Sequence, residues 1–152
     1  MSVVVVPATA EHAAAVAAQA READIAELWA VAHVTPAEAI RQGLALSGDA
    51  RAALFDGVPA CVFGVSTIAE FPGRAVPWMV GTAALERHQS AFLRRCRPVV
   101  LDWASRYDLL VNWVDARNLT AIRWLQWLGF VIGDPMPYGV DGLSFRPFEM
   151  RR

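Results

Sequence analysis

Nothing in this chain is long and apolar enough to cross a membrane: no segment approaches the roughly 18 consecutive apolar residues that a spanning helix needs. The opening MSVVVV lacks a basic stretch, and its apolar run is too short for a secretory signal. The chain is therefore expected in a cytoplasm or in something assembled there. An excess of charge is missing too. Fourteen basic residues face 15 acidic ones, for a formal net charge of -1. That leaves no electrostatic footprint for nucleic acid or an anionic membrane surface. Cysteine is scarce. Cys61 and Cys96 stand in no ligand spacing, and the expectation is two free buried thiols in a reducing compartment. His12, His33 and His88 are scattered, with no H-E-x-x-H and no C-x-x-C, so no metal site is expected. The stretch GVSTI lacks the second glycine of a nucleophile elbow, which removes support for a hydrolase. Repeats, linkers and low-complexity tracts are absent apart from an Ala-rich first helix.

What is present is a core. The 152 residues are 55% hydrophobic and 19% charged, with six Trp, which argues for one packed domain over 1–152 and against disorder. A domain of this length buries roughly 70% of the surface its unfolded chain exposes, so it needs no disulfide or metal staple.

Local signals give the element order. SVVVVPAT is β-branched and continuous, and reads as a buried strand. Thr9 stands as N-cap of a helix running through AEHAAAVAAQAREADIAELWAVAH. Thr35 and Pro36 open a second helix at N-cap and first position. Asp56-Gly57 between two apolar runs predicts a hairpin, with strands near 51–55 and 59–68. PWMVGT reads as a short strand. ALERHQSAFLRRCRPVVLDWASRY reads as a long helix that Pro98 should kink or split. DLLVNWVDA is a strand, followed by a helix that Asn118 caps and Gly129 stops. FVI is a strand, GDPMPYGVDG a turn-rich loop, and LSFRPFEMR a last strand that Pro147 places at a sheet edge. Helices covering a largely antiparallel sheet in a mixed α/β domain fit this order.

In this order, and above all in NWVDARNLTAIRWLQWLGF, the chain resembles the GNAT superfamily of N-acetyltransferases. Those domains end in a strand, an Asn and a helix of the form A-x-x-F-Y-x-x-x-G-F. Asn118, Ala121, Trp124, Leu128, Gly129 and Phe130 fit that frame. The narrower run of Asn112, Val114, Asn118, Ile122, Arg123, Leu125 and Gly129 is similar to the small GNAT-like internal virion protein of short-tailed bacteriophages. The resemblance implies a GNAT-like α/β fold, a central mixed and mostly antiparallel sheet flanked by helices. For cofactor it implies acetyl-CoA if the chain is an enzyme, with Val80, Thr82, Arg87 and Asn118 as candidate binding residues. The phage likeness implies virion proteins as partners, a possible homo-oligomer, and residence in the host cytoplasm and then in the particle, with no membrane or nucleic-acid contact.

Acetyl transfer on that fold needs three parts. The first is a cradle of backbone amides at a helix N-terminus, shaped by glycines that let the chain approach a pyrophosphate closely. Arg87 can start that motif, but Ser90 and Phe92 occupy its glycine positions. The second is a general acid for the leaving thiolate, and the matching position is Leu125, which has no proton to give. The third is a base, for which Glu70, Glu86 and Asp115 are candidates with nothing to choose between them. Positioning alone sustains some members of the superfamily. The leading expectation is a catalytically degenerate GNAT domain serving as a virion component. The alternative is an acetyl-CoA-dependent N-acetyltransferase with an atypical pyrophosphate loop. A module binding a small ligand or peptide between splayed strands is a third.

Three residues and one basic stretch carry two readings each. Asn118 is a helix cap or a partner of a pantetheine arm, and its N-cap ranking favours the cap. Asn112, mid-strand, binds a ligand or stitches a loop to the sheet. Trp124 falls on the core side of its helix, whereas Trp127 falls on the other and either stacks on Arg123 or faces a partner. The stretch holding Arg87, His88, Arg94, Arg95 and Arg97 reads as a solvated helix face before it reads as a phosphate site.

Overall fold

Short-range chemistry sets most of the boundaries in the computed structural model, which describes residues 1–152. The elements run β1 (Val3–Pro7), α1 (Ala10–Ala18), α2 (Glu22–Ala32), α3 (Pro36–Leu46), β2 (Ser47–Phe55), β3 (Val58–Thr67), β4 (Arg74–Gly81), α4 (Ala83–Arg87), α5 (Gln89–Arg106), β5 (Leu109–Asp115), α6 (Leu119–Leu128), β6 (Val131–Ile132), β7 (Met136–Tyr138) and β8 (Leu143–Arg151). Thr9 and Thr35 each accept from the amide three residues on and form capping boxes with His12 and Glu38. Pro36 takes the first position of α3. Asn118 caps α6, and Gly129 ends it in a left-handed conformation at φ 111°. The Asp56-Gly57 turn joins β2 to β3, with both residues at positive φ.

The strands form one eight-stranded sheet in the order β1-β2-β3-β4-β5-β8-β6, with β7 also on β8. Every pairing is antiparallel except β4 with β5. Those two strands are in register only at Arg74–Leu109 and Ala75–Leu110, near the start of each. Beyond that they part, and the sheet has a slot. The main core, 22 buried residues, lies between the sheet and α5 and α6 and includes Phe63, Phe92, Trp103, Trp124 and Phe148. A smaller layer of Val16, Ile40, Ala52, Val62 and Val80 lies under α1 and α3. The larger layer therefore supplies most of the apolar burial that holds the fold. In the smaller one, Trp78 lies against Gly43 and Gly64, where added Cβ atoms would come within 2.6 Å and 3.0 Å of its ring. Its indole N–H donates to Ser47 Oγ at 2.8 Å.

Several expectations change. The first helix is two helices, not one. Ala20 bridges to Thr82, and the Arg21 amide donates to Gly81 O at 2.8 Å, so α1 and α2 are parted by a tie to the end of β4. The long helix divides at His88 and runs through Pro98. β1 is an edge strand rather than a buried one: it pairs only with β2, and Val4 is 47% exposed. The turn-rich loop contains a short strand, β7. β8 is not an edge. It pairs along its length with β5 and on its other side with β6 and β7. Pro147 is tolerated because its carbonyl, and with it the nitrogen that has no hydrogen, faces the gap between β6 and β7, where Gly133 N–H donates to it at 2.7 Å.

The segment after β7 folds back on the end of α2. Val140 N–H donates to Val31 O at 3.1 Å, and His33 Nε2 meets Asp141 Oδ1 at 2.8 Å. Gly139 makes this possible: its φ is 80°, and a Cβ there would lie 2.7 Å from Val31 Cα. Gly139→Ala is expected to cost about 1–3 kcal/mol, the range for a non-glycine residue held in left-handed backbone. Urea unfolding of variant and parent reads that difference as a lowered midpoint at unchanged slope.

Candidate functional site

The slot between β4 and β5 opens into a cavity of about 200 Å³, lined by 26 residues of which 20 are hydrophobic. Side chains alternate across the sheet, so the two strands serve both sides. Met79 and Val114 face the α5–α6 core, while Trp78 packs with the layer under α1 and α3. Phe92, Leu93, Cys96, Trp124 and Leu125 line the α5–α6 half, and Leu28, Val31, Trp113 and Tyr138 contribute from α2, β5 and β7. Trp113 and Tyr138 stack at 4.2 Å between ring centres. Asn112 spans the slot, its side-chain N–H donating to Pro77 O at 2.8 Å. It is the stitch between the parted strands.

The polar part of the cavity comes from α2. Asp24, Glu27, Leu28 and Val31 follow the i, i+3, i+4, i+7 spacing of one helix face, and all four line the cavity. Ile25 and Trp29 point the other way and are 44% and 53% exposed. The helix thus turns two carboxyls inward and two large apolar side chains outward.

Arg21 is 5% exposed. It donates to Asp24 Oδ1 at 2.8 Å and to Glu86 Oε1 at 2.8 Å, and its guanidinium lies 4.8 Å over the Trp124 ring. The other Asp24 oxygen accepts the Gly81 amide at 2.8 Å. Burial raises the Asp24 carboxyl above its usual value, and the charge of Arg21 and the Gly81 amide reverse only part of that.

Glu27 is the more telling group. Its Oε1 accepts from the Asp115 amide at 2.8 Å and from Asn118 Nδ2 at 3.4 Å, while Oε2 accepts nothing from the protein. Burial lifts its pKa to about 7. The Asp115 amide opposes that rise, and the charge of Asp24 adds to it. A carboxyl in an apolar cavity, titrating near neutrality with one oxygen free, is suited to take up and release a proton.

The expected site residues are dispersed. Asn118 caps α6, accepting from the Ala121 amide at 3.4 Å, and its side chain also lines the cavity. Val80 is 2% exposed and packs under α1 and α3. Thr82 is buried and donates to Ala60 O at 2.8 Å. Arg87 ends α4, exposed. Of the three base candidates, Glu70 is exposed in the β3–β4 loop and Glu86 is tied to Arg21. Burial raises Asp115, but the hydrogen bonds and charge of Arg117 outweigh it and hold the carboxyl below its usual value. Glu27 went unseen because a Glu inside a helix reads as solvated. Its one signal was the shared face with Asp24, Leu28 and Val31.

At the start of α5, Phe92 is 1% exposed and meets Phe63 edge-on at 5.7 Å. A core side chain therefore stands where a glycine would let the backbone approach a phosphate. Trp124 is core at 3% exposed. Trp127 is 46% exposed, and the side chain stacked on it is Arg97 of α5, 5.2 Å from the ring centre, rather than Arg123. Cys61 and Cys96 are free and buried, and burial pushes Cys96 up to about 12, so it lines the cavity as a neutral thiol.

No family model matches the chain, and no curated protein matches it. Solved structures do. A Salmonella typhimurium protein described as an acetyltransferase, solved with its cofactor acetyl-CoA, is 17% identical over 99% of this chain and 94% of its own, with a TM-score of 0.70. An N-acetyltransferase from Staphylococcus aureus Mu50 is 15% identical over 99% of both chains, TM-score 0.70. A ribosomal-protein-alanine N-acetyltransferase from Brucella melitensis is 14% identical over 98% and 99%, TM-score 0.73. The chain has the fold of the GNAT acetyltransferases; at these identities the likeness extends to the fold alone.

Proposed function

We propose that the chain is an N-acetyltransferase that takes acetyl-CoA as acyl donor, with Glu27 as general base. The observation that carries this reading is the Glu27 carboxyl, held near pKa 7 with a free oxygen in the cavity at the parting of β4 and β5. The slot suits a thin acyl–pantetheine arm, and Asn118 and the backbone of β4 are the groups placed to hold it. Toward the diphosphate, the chain offers the exposed first turn of α5 and Arg87 just before it, without glycines. Acetyl-CoA supplies the acyl group. Glu27 takes the proton from the acceptor ammonium, and the Asp115 amide and Asn118 fix its other oxygen in place. Leu125 leaves the departing thiolate without a protein acid, so its proton comes from solvent.

A second reading has its own support. The exposed Trp127 under Arg97, together with the glycine-free start of α5 and Leu125, suits a virion component of a short-tailed phage, in contact with virion proteins or with its own copies, formed in the host cytoplasm and packaged. Isothermal titration separates the two. Micromolar binding of acetyl-CoA and of CoA is expected from the enzyme, and absence of heat at millimolar ligand transfers the case to the virion reading.

A further inference from the structure

The charge of the cavity restricts the acceptor. Only one cation lines it, Arg21. All 14 basic side chains of the protein are arginines, so no flexible lysine is available to reach in. Arg21 is committed: Nε and one terminal nitrogen meet Glu86, the other meets Asp24, and its flat face covers Trp124. Asn112 and Asn118 carry no charge, and each already gives a side-chain N–H to Pro77 O or to Glu27. Against these stands the Glu27 carboxyl with one oxygen free, since the Asp24 oxygens are taken up by Arg21 and the Gly81 amide. An acceptor carboxylate or phosphate would enter an apolar cavity beside like charge with no free cation to receive it, which disfavours its binding. An ammonium meets the reverse: the free oxygen of Glu27 and the faces of the stacked Trp113 and Tyr138 rings. The rest of the wall is apolar. Its volume of about 200 Å³ is below the ~300–1,000 Å³ of sites for larger ligands.

Resting on the acetyltransferase reading, we infer that the acceptor is a small primary amine with an aromatic or apolar body and no anionic group, an arylalkylamine by class. The reaction balances as acyl transfer. The ammonium gives one proton to Glu27, the amine nitrogen forms the amide bond and loses its second proton to solvent, the thioester C–S bond breaks, and the CoA thiolate takes a proton from solvent and leaves as its thiol.

The discriminating pair is 2-phenylethylamine and L-phenylalanine, which differ by one carboxylate. Two readouts are taken on the full chain: the rise in melting temperature with each amine alone, and thioester consumption with acetyl-CoA present. The expected result is stabilisation by 2-phenylethylamine only, and kcat/KM for it at least about 100-fold above that for L-phenylalanine. Methylamine, which lacks the apolar body, should fall as far behind. Equal use of the pair, preference for L-phenylalanine, or methylamine matching 2-phenylethylamine overturns the inference, while turnover itself upholds the acetyltransferase reading. No stabilisation and no turnover with 2-phenylethylamine also overturns it, and the acetyl-CoA titration then reports separately on the parent reading.

Discussion

Glu27→Gln is expected to lower kcat/KM by about 100- to 10,000-fold at neutral pH, the span that a positioned general base contributes. Gln keeps the size of the side chain and an oxygen for the Asp115 amide, so the cavity should keep its shape and acetyl-CoA its affinity. The parent should show an inflection near pH 7 in kcat/KM, from the Glu27 ionisation, and the variant should lack it. Equal rates and the same inflection in both proteins would remove Glu27 from the chemistry.

The same group links stability to pH. Its carboxyl ionises at about 7 in the fold against 4.5 for an unperturbed glutamate. Between those limits the folded state holds a proton that the unfolded state has lost. Stability from this group is therefore fully present below about 4.5 and is lost as pH rises through about 7. Glu27→Gln removes the linkage. Relative to the parent, the variant should gain up to about 3 kcal/mol between pH 4.5 and pH 8. Denaturant midpoints at the two pH values measure it. A variant that loses activity but gains stability at high pH is the signature of a strained functional group rather than of a broken fold.

Arg21→Ala should have the largest effect on stability. It leaves Asp24 with the Gly81 amide but without its counter-charge, beside the Glu86 carboxylate it also held. Removing one partner of a buried pair costs about 3–5 kcal/mol, which at this chain length is roughly 6–20 °C in melting temperature. Because burial already raises the Asp24 pKa, the deficit should shrink as pH falls and that carboxyl takes a proton. Adding Asp24→Asn to Arg21→Ala should restore part of the loss, since the stranded charge goes with it. A single variant as stable as the parent would mean that the cluster closes the α1–α2 break without holding it.

Much of the fold was legible locally. The caps at Thr9, Thr35 and Asn118, Pro36 at the head of α3, Asp56-Gly57 and Gly129 each act through atoms within a few residues, and their chemistry is the same in the chain and in the fold. The strand–Asn–helix frame around Asn112–Phe130 was legible for the same reason. It pointed to the GNAT fold that the sheet order then showed.

The candidate site was not legible, because its parts meet only across distance. Glu27 becomes a base through burial and through contacts from Asp115 and Asn118, 88 and 91 residues away. The helix break at Ala20–Arg21 depends on Gly81, Thr82 and Glu86. Pro147 sits inside the sheet because β6 and β7 leave a gap opposite its nitrogen, and the indole of Trp127 finds Arg97 on a neighbouring helix. The sequence by itself determined which segments mostly coil or extend and those stops that caps and turns make locally, since these choices lie with backbone groups and their nearest side chains. Only the tertiary structure decided which charges are taken from water. Desolvation belongs to a position in space, and with the nearby charge of Asp24 it turns an ordinary glutamate on α2 into a group poised near neutral pH.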